Sequence, residues 1–192
     1  MNGFERRKKE KEKIIIETAL KLFQKNGIQN TPVSQIAKEA GVSQVTIFKY
    51  FDTKDNLVLN TVNYFVDESF NIFETVINKE VPFEEKIKEI IFMKKTYANN
   101  ISQDFLIKFM EQHSMENSYI QNLYTTKGIR LYEKLFAQGR TEGKINNAIS
   151  DQTLYLYLDM YSEYLKREDV YIQIAPLAEE FMNLFMYGVS GK

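Results

Sequence analysis

Apolar residues recur at helical spacing along nearly the whole chain. Within residues 4–26, Ile15, Ala19, Leu22 and Phe23 fall at i, i+4, i+7 and i+8, the single stripe of an amphipathic helix. Gly27 follows, where a glycine commonly ends a helix. Thr31-Pro32 reads as a hydroxyl cap with proline at the first helical position. Ile36, Ala37 and Ala40 then turn inward, and Gly41 closes this short helix. Ser43 caps a segment from about Gln44 to Phe51. Thr53 caps the next, with Asp55 in its first turn, where the helix dipole favours a carboxylate. Longer amphipathic segments follow over 54–79, 83–98, 102–115, 118–142, 151–166 and 174–188, punctuated by Pro82, Asn99-Asn100, Gly143 and Pro176. No window alternates with period two over a useful length. The pattern predicts an all-α chain of about nine helices with no sheet, no repeat and no low-complexity linker.

Composition narrows this further. The 192 residues fit one or two small domains, and only 3 prolines and 8 glycines interrupt them, as helical chains require. With no cysteine, a disulfide scaffold and a thiolate metal site are excluded, and a reducing cytoplasm fits. The start, MNGFERRKKEKEK, is charged and is followed by only Ile14 to Ile16 as an apolar run, too short for a signal peptide. No stretch approaches the ~20 apolar residues that span a bilayer, so no membrane partner is expected. Asn100-Ile101-Ser102 matches a glycosylation acceptor but has no secretion signal to give it meaning. Net charge is −1, yet it is unevenly spread: the first 57 residues hold 11 Lys/Arg against 7 Asp/Glu, the remainder 14 against 19. A basic head on an acidic body suits one end that meets a phosphate backbone.

The informative segment is TPVSQIAKEAGVSQVTIFKYFDTKDNL, Thr31 to Leu57. Two short helices crossing through a tight turn need a small residue at the crossing and a permissive one in the turn. Ala37 and Gly41 supply them, and Val42, Ile47 and Phe51 supply the apolar side. Ser43, Gln44, Val45, Thr46, Lys49 and Tyr50 are left facing outward, which suits a helix entering a major groove by its N-terminal residues. Gln pairs with adenine, Val and the Thr methyl touch a thymine methyl, and Lys reaches guanine. Tyr50 and Lys54 can hold phosphates, which fixes register.

Ile36-Ala37, Ala40-Gly41-Val42-Ser43, Thr46-Ile47-Phe48, Phe51 and Lys54 together resemble the N-terminal signature of the TetR family of bacterial transcription regulators, over roughly residues 12–60. GRTEGKI, Gly139 to Ile145, is similar to the end of that family's seventh helix. Two positions depart from the family. Phe48 stands where Tyr is usual and loses a hydroxyl for a phosphate bond, though its ring can still meet sugar or a methyl group. Tyr50 stands where His is frequent and keeps a donor. The resemblance implies a three-helix DNA-binding domain over 1–54 and a helical ligand-binding and dimerisation domain over 55–192, with the boundary falling inside a helix. It further implies Gln44, Val45 and Lys49 at base edges, Ser34 at a base or phosphate, and Ser43, Thr46, Tyr50 and Lys54 on the backbone, with Phe48 among them. Arg6, Arg7, Lys8, Lys9, Lys11 and Lys13 read either as an arm along DNA or as a solvated helix start diluted by Glu5, Glu10 and Glu12.

The body is rich in aromatics and Met. A small-molecule pocket, implied by the resemblance, draws on Tyr64, Phe92, Met93, Tyr97, Phe105, Phe109, Met110, His113, Tyr119 and Tyr124, residues that would otherwise be core. The last two helices carry Leu154, Leu158, Tyr161 and Leu165, then Leu177, Phe181, Leu184, Phe185 and Met186. In the family such helices form a four-helix bundle between two subunits, which presents two recognition helices to the half-sites of a near-palindromic operator. The expected partners are therefore double-stranded DNA, a small-molecule effector and a second copy of the chain, with no cofactor and no metal.

Enzyme signatures are absent. GRTEGKI lacks the P-loop's first glycine, at Gln138, and its Ser/Thr, at Ile145. His-Glu-x-x-His and Gly-x-Ser-x-Gly do not occur, and one histidine permits neither a triad nor a two-His metal site within a chain. The expected function is a ligand-responsive repressor, cytoplasmic and not catalytic. The competing readings are a protein-docking helix-turn-helix, a transcriptional activator of the same fold, and a small-molecule-binding helical enzyme.

Overall fold

A computed structural model describes residues 3–165 and 167–190, which are helical with connecting turns and contain no strand. The helices are α1 (Gly3–Asn26), α2 (Val33–Glu39), α3 (Gln44–Phe51), α4 (Lys54–Asn78), α5 (Phe83–Asn100), α6 (Gln103–Ser114), α7 (Tyr119–Leu123), α8 (Ile129–Thr141), α9 (Asp151–Leu165), α10 (Glu168–Ile174) and α11 (Ala178–Ser190). The side chains of Tyr97 and Leu165, assigned above to the effector pocket and the dimer face, lie outside the described residues.

Three details differ from the sequence pattern. The expected helix over 118–142 is interrupted: a π turn, Tyr124–Gly128, joins α7 to α8. Gly128 is buried there with the Tyr124 ring 3.3 Å from where a Cβ would stand, so the widened turn seats an aromatic ring against bare backbone. The segment expected to start a helix at 174 instead ends α10 and passes through a 3₁₀ turn, Ala175–Leu177. Pro176, with no N–H to donate, breaks the ladder at that point. Thr31 does not cap α2. Pro32 occupies the cap position in extended conformation with no side-chain bond, and the fully buried Thr31 hydroxyl donates back to the Gly27 carbonyl at 2.6 Å.

The chain forms two compact units. One comprises the chain up to Glu68 with Asn100–Phe109; the other comprises Ser69–Asn99 with the chain from Met110 onward. α4 and α6 therefore each contribute to both. In the first unit, Ile15, Ala19, Phe23, Ile36, Ile47, Leu57 and Val62 are almost wholly buried. Phe105 joins them from α6, its ring 6.5 Å from Phe23 and 5.7 Å edge-on from Phe65. Asp104, one residue earlier, accepts from the Gln29 N–H at 3.0 Å and the Ser102 hydroxyl at 2.8 Å, which pins the start of α6 to the turn after α1. Burial alone would raise this carboxyl, but the donors of Gln29, Ser102, Ile28 and Phe105 outweigh it and hold it below the usual carboxylate range. Gly27 makes the approach feasible: φ is +85°, and a Cβ would lie 2.9 Å from both Asp104 oxygens.

The second unit is built on Val76, Ile77, Phe83, Ile90, Leu131, Leu135, Phe136, Ile145, Leu154 and Val189. A buried lysine closes one end. Lys86 Nζ donates to the Ile77 carbonyl and to Gln138 Oε1, both at 2.6 Å. Gln138 in turn donates to the Val81 carbonyl and Glu142, and Glu142 accepts from the Phe83 N–H. This network ties α8 to the α4–α5 turn through satisfied polar groups, as a buried ammonium requires. The stretch GRTEGKI supplies its close packing: a Cβ on Gly139 would lie 2.7 Å from Ile145 and 2.9 Å from Phe83.

Candidate functional site

α3 is held by its apolar side and offers the rest. Ile47 and Phe51 are buried, whereas Gln44, Val45, Phe48 and Lys49 are exposed, Val45 at 77%. Its N-terminus is fastened by Ser43, whose Oγ accepts from the Thr46 N–H at 3.1 Å and lies 2.9 Å from Thr46 Oγ1. Ser43 and Thr46 are thus partners of each other: one hydroxyl gives its proton to the other, and the second O–H remains to donate to a phosphate. Gly41, at φ +65°, makes the turn, and the Val42 N–H returns to the Ala37 carbonyl at 2.9 Å. The small Ala37 is itself buried at this crossing. Ser34 is exposed in the first turn of α2. Tyr50 is half-buried beside Phe51, ring centroids 6.2 Å apart.

Lys54 is placed differently from the others. It opens α4, is half-buried, and its Nζ donates to the Ile28 carbonyl at 2.7 Å, joining α4 to the turn after α1. An ammonium has three donors, so two remain. Thr53 caps α4, accepting from the Asn56 N–H at 3.1 Å. Gln44, Val45, Phe48 and Lys49 thus lie together on one exposed helix, with Ser43, Thr46 and Tyr50 at its margins. Ser34 and Lys54 come from the two neighbouring helices.

The residues assigned to an effector pocket divide between the units. Tyr64, Phe105 and Phe109 belong to the first. Tyr64 Oη donates to Glu17 at 2.8 Å; burial, then that bond and the charge of Glu17, push its phenol upward, so it stays a donor at neutral pH. Phe105 is core, and Phe109 sits edge-on to Phe65. In the second unit Met110 is buried, His113 is half-buried, and Tyr119 and Tyr124 are exposed. Phe92, 72% exposed, and Met93 line an open groove of about 530 Å³ with Ile72, Val76, Lys88, Glu89 and Thr96. Of one aromatic assembly the pattern singled out only Tyr124. Phe73, Tyr124 and Phe136 surround Tyr132 with centroids 5.4, 5.8 and 5.9 Å away, and Tyr155 adjoins Phe136 at 5.5 Å. Burial, with Glu133 and Asp151 nearby, pushes the Tyr155 phenol up to about 12. The i, i+4 spacing of Tyr132 and Phe136 is the signal that could have revealed it.

The final helices present an apolar face, but not wholly the expected one. Leu154 is 2% exposed and belongs to the unit's own core, while Leu158, Phe185 and Met186 pack half-buried against that core. Tyr161 is half-buried against Phe181, centroids 5.9 Å apart. The exposed apolar residues are Leu156, Tyr157, Met160 and Tyr164 on α9, Leu177 in the turn before α11, and Phe181, Leu184 and Tyr187 on α11. The stripe is shifted because Leu154 and Leu158 are taken up by the unit's own core, leaving Leu156, Tyr157 and Met160 to solvent. No group of His, Asp and Glu that could hold a metal occurs among the described residues, and no helix among them is long and apolar enough to cross a membrane.

The profile for bacterial regulatory proteins of the tetR family matches residues 15–61. The HTH-type transcriptional regulator YuxN of Bacillus subtilis is 50% identical over 62 residues, covering 32% of this chain and 21% of YuxN. YerO, another HTH-type regulator of that organism, is 25% identical over 76% of this chain and 52% of its own length. The chain thus spans about a fifth and about half of these two relatives. Among solved structures, the transcriptional regulator FadR of Bacillus subtilis in complex with stearoyl-CoA superposes with TM-score 0.59 at 19% identity, over 92% of this chain and 98% of that one.

Proposed function

We propose that this chain, whose residues 15–61 match the profile of bacterial regulatory proteins of the tetR family, is a cytoplasmic, ligand-responsive transcriptional repressor that binds a near-palindromic operator as a homodimer. The observation that carries this is α3: capped at Ser43, anchored by Ile47 and Phe51, and exposing Gln44, Val45 and Lys49 along one side. That is what a recognition helix needs to bring side chains to base edges without loosening its own core. Gln44 and Lys49 discriminate bases, while Ser43, Thr46 and Tyr50, with Ser34 and the remaining donors of Lys54, fix register on phosphates.

Support for the homodimer comes from the exposed Leu156, Tyr157, Met160, Tyr164, Phe181, Leu184 and Tyr187, large apolar side chains concentrated on α9 and α11. Two-fold pairing across it sets two copies of α3 on one duplex. Support for an effector comes from the aromatic body and from FadR, which binds stearoyl-CoA. An effector that binds better to an arrangement unable to span two half-sites releases the DNA by differential affinity alone. Selection of duplexes from a random pool with purified protein at moderate salt tests the proposal. An enriched inverted repeat is the expected result. Sequence-blind binding, or none, contradicts it and turns the exposed Val45 and Phe48 into a protein-docking surface.

A further inference from the structure

The corner between α3 and α4 is tight. Only Asp52 and Thr53 lie between the two helices, and both sides of the corner are anchored: Phe51 and Leu57 are buried. The Asp52 N–H closes α3 on the Phe48 carbonyl at 2.8 Å, and the Thr53 carbonyl opens α4 by accepting from the Leu57 N–H at 3.2 Å. That leaves the turn to Asp52. Its φ is 66° and its ψ −53°, and the Thr53 N–H reaches back across it to the Phe51 carbonyl at 2.7 Å. This is the γ-turn with positive φ at its centre, a rare and strained conformation for a residue with a Cβ.

The side chain does nothing to relieve the strain. Elsewhere among the described residues φ turns positive at Gly27, Gly41 and Gly143, where glycine tolerates it, and at Asn117. Aspartate is accepted at positive φ when its carboxylate bonds locally. The Asp52 carboxylate is exposed and makes no hydrogen bond or ion pair with any described residue. A conformation this costly persists only where the surroundings dictate it. Here they do so through Phe51 and Leu57, each held in the core on its own side of the corner. The element fixed in this way is the one that exposes Gln44, Val45 and Lys49.

We infer that Asp52 is a positioning residue for base reading: its strained turn holds α3 at one angle to α4, and some folding stability is given up for that alignment. The inference rests on the reading of α3 as the base-reading helix. Contacts to base edges need side chains held within about 0.5 Å of the productive geometry. Attraction to phosphates is far less exacting, because it carries no sequence information and acts through charge. A corner with slack therefore loses selectivity before it loses sequence-blind affinity.

The test compares the full-length protein with Asp52→Asn and Asp52→Gly. Asparagine keeps the Cβ and so the strain, while glycine releases it. The two variants carry the same charge, so the difference between them reads the backbone. Chemical denaturation gives stability, and fluorescence anisotropy at one salt concentration gives affinity for the selected operator and for a duplex of scrambled sequence. Asp52→Gly is expected to raise the folding equilibrium constant about tenfold over Asp52→Asn, because relieved strain exceeds the added freedom of glycine in the unfolded chain. Its preference for operator over scrambled duplex is expected to fall about tenfold, the scale of one good base contact, with affinity for the scrambled duplex unchanged. A glycine variant no more stable than the asparagine variant shows that the turn is not strained and overturns the inference. A glycine variant that is more stable but equally selective overturns it too, as does an equal loss of selectivity in both variants, which would assign the effect to the carboxylate's charge. A wild type that selects no operator overturns the α3 reading and with it the positioning role. The stability comparison still reports on the strain in that case, which separates the two failures.

Discussion

Gly27 and Asp104 act as one device. The glycine ends α1 at a φ that side chains resist, and its missing Cβ leaves room for a carboxylate that gathers the donors of the turn. Gly27→Ala should lower stability by more than the about 1–2 kcal/mol that the backbone conformation alone costs, because Asp104 must also move; chemical denaturation measures it. The acid dependence of that carboxylate has a definite sign. A folded-state value held below the usual one contributes stability above the ordinary value near about 4, and the contribution is lost as pH falls through the folded value. Asp104→Asn should therefore lose less stability than the wild type between neutral pH and pH of about 3. Equal losses would mean that these bonds do not favour the charged form. Gly27 was legible in the sequence as a helix stop, but its debt to Asp104 was not, since nothing local links positions 77 apart. Thr31 failed for a related reason: a hydroxyl before Pro32 looks like a cap, yet burial gave it the Gly27 carbonyl instead.

At the scale of elements, periodicity located α1 to α6 closely because each buries one stripe and ends at a glycine, a proline or a capped turn. It could not foresee the π turn at Tyr124–Gly128, where a ring against backbone decides the local winding. Nor could it tell which side of a doubly apolar helix faces home. α9 carries Leu154 and Leu158 on one side and Leu156, Tyr157 and Met160 on another, and only packing against α8 and α11 separates them. The consequence is a paired prediction. Leu154→Ala should destabilise the folded chain by about 2–5 kcal/mol, as a core truncation does. Leu184→Glu, at a side chain 69% exposed, should leave the chain folded and convert a dimer to a monomer. Sedimentation equilibrium with thermal unfolding separates the two. A Leu184→Glu protein that stays dimeric would place the interface elsewhere.

At the scale of the molecule, the basic head and acidic body visible in the charge count suit the proposed division of roles: α3 exposes Lys49 beside Gln44 and Val45, while the body offers aromatic and apolar surface. The helix-turn-helix could be read from sequence because it is local, with cap, turn glycine and buried pair all within Thr31–Leu57. The residues of the proposed effector pocket could not. Aromatics at helical spacing serve core and pocket alike, and the assembly around Tyr132 forms only when α4, the π turn, α8 and α9 meet. The central claim is that α3 reads bases twice, once from each chain of a two-fold dimer. Repeating the duplex selection with Gln44→Ala tests it most directly. Loss of preference at one base pair in each half of the inverted repeat, symmetric about its centre and with the remaining positions retained, is the expected result. An unchanged preference, or a change in one half alone, would contradict it.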